Sequence, residues 1–428
     1  MANHISRRSL VKGAAVGAAS SSFFAPSLIG AQGSDIELLY WTAFGSGTNG
    51  EQQTKIVEEF NSMDNGITIT TTSFSDYAEL ANGILTGLDS GDVPNLFTVS
   101  EVWWFNLYLR NALADLTSYV DQPEDYVDSL YNEYQRNGGQ WAVPFARSTP
   151  LVYYNTDAFE AAGVDPAVLG QWSSFAAEAP KLVGGDIQYS FAFPDAASYA
   201  AWHLHGAIWA FEGNYSDADF NMLMHEPPAV EAGEFMREMV QSGGASVLAD
   251  SGREFANGTA AVTFISTGAI GWMTTDAQVP WATAELPAEL TYGCPTGGAG
   301  LAVVANESEE LVAAAAEFLA YSTSTDVTAE WAMKTGYLPS RKSTIESEEY
   351  SAFLAENPNN AVAVGQLPRT RAQDSARVFI PNGDATLGNA WEQILVNNIP
   401  AQEALEEAAA ILDEDKKPII EALEVIEG

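Results

Sequence analysis

Beyond its first thirty residues the chain alternates two patterns: short β-branched or continuous apolar runs, and stretches where apolar residues recur every three or four positions. Ile36 to Trp41 predicts a buried strand, and Gly45 to Gly50 a turn. Ile56, Val57, Phe60 and Met63 then recur at helical spacing. Ile67 to Phe74, rich in Thr and Ile, predicts a second strand. Tyr77, Leu80, Ile84, Leu85 and Leu88 predict a helix with Ser75 or Asp76 as its N-cap, and Leu96 to Val99 a third strand. Strand, helix, strand, helix, strand implies a parallel sheet with right-handed crossovers, which is an α/β lobe.

The alternation restarts near Pro144. Leu151 to Tyr154 reads as a strand, and Asn155 or Thr156 caps a helix from Asp157 to Ala162 that Gly163 closes. Trp172 to Leu182 reads as a helix, Ala260 to Ile265 and Gly300 to Ala305 as strands. Ser308 caps a helix from Leu311 to Tyr321, and a helix from Asp326 to Lys334 stops at Gly336. Two α/β lobes with a cleft between them are the architecture this predicts.

Composition narrows the partners. The 428 residues carry 57 Asp and Glu against 18 Lys and Arg, a net charge of −39 that disfavours nucleic acid and anionic membranes as partners. A single cysteine, Cys294, excludes a disulfide framework. Arg7, Arg8 and Lys12 precede a mild apolar run from Gly13 to Phe24 and small residues around Ala31, the layout of a removable export signal of twin-arginine type over residues 1–31. No Cys stands at the expected cleavage point, so an exported soluble protein is expected rather than a lipoprotein. Loss of three cations and no acid would take the charge to −42. Such a surface suits a saline habitat, where counterions screen self-repulsion, or is simply well solvated.

Catalytic machinery is hard to find. His203, His205 and His225 lack metal-ligand spacing, and neither a nucleophile elbow nor a Walker loop occurs. Gly297 to Gly300 is glycine-rich but leads into a strand, not a helix, so it is no nucleotide cradle. Acids are too abundant for any pair to single out a glycosidase, although an exported carbohydrate-active enzyme is the alternative reading. A binding cleft, in contrast, has its parts. Trp41, Tyr77, Glu101, Ser148, Trp172, Trp202, Ser266, Trp272, Gly298 and Tyr337 fall near the ends of predicted strands, where open α/β sheets take ligands.

The segments Pro144 to Phe159, Phe255 to Gly258, Gly297 to Ala299, Glu330 to Pro339 and Gln402 to Leu405 resemble those of family 1 extracellular solute-binding proteins of ABC importers, in the sn-glycerol-3-phosphate-binding branch. The resemblance implies a two-lobe periplasmic-binding-protein fold of type II character, hinged around an interlobe ligand cleft. It implies one lobe of residues 34–147 with 298–340 and another of 148–297 with 341–428. It implies a periplasmic or extracellular monomer that takes a small polyol or sugar, needs no cofactor and docks on membrane permease subunits. Carried across block by block, the ligand contacts fall on Tyr77, Glu101, Ser148, Trp172, Ser266, Gly298 and Tyr337. The late Arg that grips phosphate in that branch falls, by the same counting, on Asp384. Either Arg377 or Arg147 then replaces it, or the ligand is a neutral sugar whose hydroxyls Asp384 accepts.

Overall fold

The computed structural model of the protein describes residues 36–305 and 307–428. The expected export signal lies outside these residues. The chain lays down β1 (Ile36–Thr42), β2 (Ile67–Ser73), β3 (Leu96–Ser100) and β4 (Val143–Ser148). It then forms β5 (Pro150–Asn155), β6 (Phe191–Pro194), β7 (Ala245–Leu248), β8 (Val262–Ser266) and β9 (Trp281–Ala284), and returns as β10 (Gly297–Val303).

The first sheet has the order β2-β1-β3-β10-β4. β1 runs parallel to β2 and β3, and β10 antiparallel to β3 and β4. The helices Gly47–Asn61 and Tyr77–Ser90 make the two parallel crossovers. The expected turn at 45–50 is shorter than its glycines suggest, since the first helix already starts at Gly47 behind the extended Ser46. Asp76 caps the second helix by accepting from the Glu79 amide at 2.8 Å. Leu38, Tyr40, Ile56, Phe60, Leu96, Phe145, Leu301, Phe318 and Trp331 fill the core on one side.

The second sheet has the order β9-β5-β8-β6-β7, with β8 antiparallel to β5 and parallel to β6. Asn155 caps the helix Thr156–Ala162 and Gly163 ends it in the left-handed conformation. The helices Pro227–Gln241, Gly383–Leu395 and Ala401–Asp415 pack on one another around Met236, Trp391 and Leu405.

Two segments of the expected second lobe bond to residues of the expected first. The last helix, Lys417–Glu427, returns to the first lobe, where Glu427 takes a two-point contact from Arg136 (2.6 and 2.9 Å) and a bond from the Tyr108 hydroxyl at 3.0 Å. Arg341 and Lys342 likewise bond to Asp121, Asp125 and Asp128 on that side. Among the described residues no helix is long and apolar enough to cross a membrane.

Candidate functional site

β3 is buried along its whole length, so it runs through the middle of the first sheet and delivers the residues that follow it, Glu101 and Val102, to the sheet's edge. The Glu101 amide donates to the Gly298 carbonyl at 3.2 Å, fixing this corner against β10. Gly298 is required there: φ is +94°, and a Cβ would stand 2.1 Å from the Ala146 carbonyl oxygen. Ser148 ends β4 and lies opposite Gly297, where the chain leaves for the second sheet. Ser266 ends β8 in that second sheet, its Oγ accepting from the Gly268 amide at 3.1 Å.

Aromatic side chains close the space between these ends. Tyr77 opens its helix with its ring against Phe44, and Tyr337 follows Gly336 with its ring against Phe44 and Trp331. Trp202, from the short helix Ala200–His203, donates through Nε1 to the Thr296 carbonyl at 2.9 Å. Tyr199 precedes it with φ +61°, a left-handed conformation uncommon for a bulky residue and frequent where function constrains the backbone. Together Tyr77, Ser100, Glu101, Val102, Ser148, Tyr199, Trp202, Ser266, Gly298, Tyr337 and Arg377 enclose a cavity of about 210 Å³. Residues of both sheets contribute, so the cavity lies between the lobes. Phe379, two residues after Arg377, packs its ring on Phe105 in a tilted arrangement, with centroids 4.4 Å apart.

Arg377 is the one cation in that lining, and it is 1% exposed. Its Nε donates to Asp384 at 2.6 Å, and Nη1 and Nη2 each reach Glu101 Oε1 at 3.4 Å. Nη1 also donates to the Gln373 side-chain oxygen, and Gln373 in turn donates to the Thr296 carbonyl at 2.6 Å. Burial raises the Glu101 carboxyl above its ordinary range, more than Arg377 and Arg147 lower it. Burial also holds the Tyr77 and Tyr337 phenols up, so both stay neutral donors at physiological pH. The Tyr77 hydroxyl and Ser100 Oγ are buried without a protein partner, an arrangement that a ligand hydroxyl or phosphate oxygen would satisfy.

Six of the seven positions carried across by resemblance, all but Trp172, line this cavity, as does Arg377. Trp172 does not: it is 1% exposed, packed between Phe191 and Phe264 in the second lobe's core. Asp384 is not in the lining either. The chain reverses between Val378 and Gly383 through the left-handed Asn382 (φ +62°), which lays Asp384 back over Arg377. Gly383 makes that reversal possible, because a Cβ would stand 1.9 Å from the Ala376 carbonyl oxygen. Counting along the chain therefore lands on the carboxylate, while the fold presents the guanidinium. Arg147, fully buried, is taken up by Glu133 and by Tyr134 at 2.6 Å and lies outside the lining. Trp41 packs on Phe74 and Trp272 under Arg253, both away from the cavity. Tyr199, Ser100 and Val102 carry no sequence signal that separates them from core residues, and only the geometry finds them.

Among the described residues no group of His, Cys, Asp and Glu is arranged to hold a metal ion. A sequence model of the family described as bacterial extracellular solute-binding protein matches residues 55–361. The sn-glycerol-3-phosphate-binding periplasmic protein UgpB of Yersinia pestis is 25% identical over 353 residues, spanning 77% of this chain and 80% of that protein. The protein of the same name from Escherichia coli is 24% identical over 351 residues, with the same shares. Among solved structures, UgpB from Mycobacterium tuberculosis in complex with glycerophosphocholine superposes with a TM-score of 0.84 at 34% identity, covering 90% of this chain and 99% of that one. The cyclic alpha-maltosyl-1,6-maltose binding protein of Arthrobacter globiformis gives 0.79 at 21% identity over the same shares, a likeness of fold.

Proposed function

The chain belongs to the bacterial extracellular solute-binding proteins, in the sn-glycerol-3-phosphate-binding branch, and on that footing we propose that it is the exported, soluble receptor of an ABC importer, closing on a small polyol phosphate and passing it unaltered to the permease. The observation that carries the reading is Arg377: a guanidinium buried in an interlobe cavity and ringed by hydroxyls of Ser148, Ser266, Tyr77 and Tyr337. Guanidinium pairs with phosphate oxygens at two points, and hydroxyls donate to the remaining ones. Glu101 accepts from the hydroxyls of a glycerol moiety, and Tyr77, Trp202 and Tyr337 lie along its C–H faces. Ligand contacts from both lobes bias a hinge toward its closed state, which is the form a permease would recognise.

Catalysis fits the cavity poorly. Glycoside hydrolysis takes two carboxyl groups flanking the bond, and Glu101 is the one carboxylate among the lining residues. The protein is read as a monomer without a cofactor and without nucleic-acid partners.

Calorimetric titration with glycerophosphocholine, sn-glycerol 3-phosphate and maltose tests the reading. A phosphate ligand should bind, and at a hundredfold excess over Kd it should stabilise the fold by about 2.7 kcal/mol. Binding of maltose alone would refute the phosphate assignment, and turnover of any glycoside would refute the receptor itself.

A further inference from the structure

Arg377 reaches the cavity already held by two carboxylates, Asp384 at 2.6 Å on Nε and Glu101 at 3.4 Å on both Nη atoms. The neighbouring ionisable groups do not offset them. Glu133 is matched by Arg147, which is bonded to it, and Asp374 has Arg371 in its field. Tyr77, Tyr199, Tyr215 and Tyr337 are neutral phenols, because burial raises each of them. His203 and His205 are neutral imidazoles, because burial lowers both. Two carboxyl groups thus face a single guanidinium before a ligand arrives. Asp384 lies at full hydrogen-bond distance and Glu101 at the long limit, so Glu101 is the contact that a phosphate would displace more readily.

We infer that Asp384 is a specificity-determining residue: by occupying Nε of Arg377 it fits the cavity to a phosphate that brings no net negative charge, a zwitterionic phosphodiester of glycerol and a quaternary amine, and against a dianionic phosphomonoester. A displaced Glu101 and the rings of Tyr77, Tyr199, Trp202 and Tyr337 line the same space, and this is the chemistry that receives an ammonium group. A monoester is mostly dianionic above its second pKa of about 6, so it meets Asp384 with an extra charge that a diester lacks. The inference rests on the receptor reading above and specifies its ligand class.

The test titrates glycerophosphocholine and sn-glycerol 3-phosphate at pH 7.5 into the wild-type chain, Asp384→Asn and Glu403→Gln. The wild type should prefer the diester by at least about tenfold. Asp384→Asn keeps an oxygen acceptor for Nε and should narrow that preference by on the order of tenfold. Glu403→Gln removes an exposed carboxylate outside the cavity lining and should leave the preference unchanged. If Asp384→Asn fails to fold, the wild-type preference measured at 0.05 and 1 M KCl decides. A buried charge is screened little, so the preference should persist, and its collapse in salt would assign it to the acidic surface and overturn the inference. Equal wild-type affinities overturn it too. Diester binding with a preference untouched by Asp384→Asn overturns the role of Asp384 and leaves the receptor reading standing. Binding of neither phosphate compound overturns both.

Discussion

Arg377→Leu separates the binding role of this residue from its structural one. The leucine fills much of the same volume but leaves both Asp384 and the buried Glu101, 7% exposed, without the cation they share. Removing one partner of a buried ion pair typically costs about 3–5 kcal/mol, since the other charge stays desolvated. Here the sign of the pH dependence follows from Glu101. Its carboxyl is already raised by burial with Arg377 present, and Arg377 is the largest influence lowering it. Without Arg377 the folded-state pKa moves further above the unfolded value of about 4.3. A group raised in the folded state contributes stability below its unfolded pKa and loses it as pH climbs through the folded pKa. The variant should therefore be nearly as stable as wild type near pH 4 and fall behind as the pH rises, reaching the full deficit at neutral pH. Urea titrations at several pH values between 4 and 8 measure this directly. Phosphate-ligand binding should meanwhile be lost by about 2–5 kcal/mol at every pH where the protein folds. A stability deficit that does not change with pH would refute the reasoning, because it would mean that Arg377 does not hold down the Glu101 carboxyl.

Trp172→Ala should cost about 3–5 kcal/mol of stability and leave the affinity of the folded protein unchanged, read by calorimetry below the transition; a binding loss with normal stability would put Trp172 back at the cleft. Tyr77→Phe removes a buried hydroxyl without a protein partner, so the ligand-free protein should gain up to about 1 kcal/mol in urea titration while ligand affinity falls roughly tenfold. Because self-repulsion of −39 or more is screened by salt, the melting temperature should rise between 0.05 and 2 M KCl; a flat profile would remove the case for salt adaptation.

The local rules that worked in the sequence were those with a backbone mechanism. Asp76 and Asn155 cap the helices they precede because their side-chain oxygens reach the third amide ahead. Gly163 and Gly336 end helices because each takes a left-handed conformation. The readings that went astray depended on tertiary packing. Trp172 opens a helix, where either a ligand or a core could use its ring, and Phe191 and Phe264, distant in sequence, pack it into the core. Counting back from Gln402 to Leu405 lands on Asp384, and only the reversal at Asn382 and Gly383, which lays Asp384 over Arg377, shows that the guanidinium is the group at the cavity. Tyr199 carries no such signal: nothing about a tyrosine announces a positive φ, and neither Gly nor Asn, the residues that take it most readily, stands beside it.

The position of β10 between β3 and β4 governs the order in which the molecule can be assembled. Ala299 pairs with Ser100 and Leu301 with Val143, so the first sheet closes across a gap of roughly 200 residues at one seam and roughly 160 at the other. β4 has no partner in that sheet other than β10. During synthesis the amino-terminal lobe must therefore wait, with the fully buried β3 as an open edge, until the whole second sheet has been made. The usual vectorial order, first domain first, does not hold for such a chain. A nascent chain halted before residue 303 would expose an apolar strand edge, which is a template for pairing with another copy.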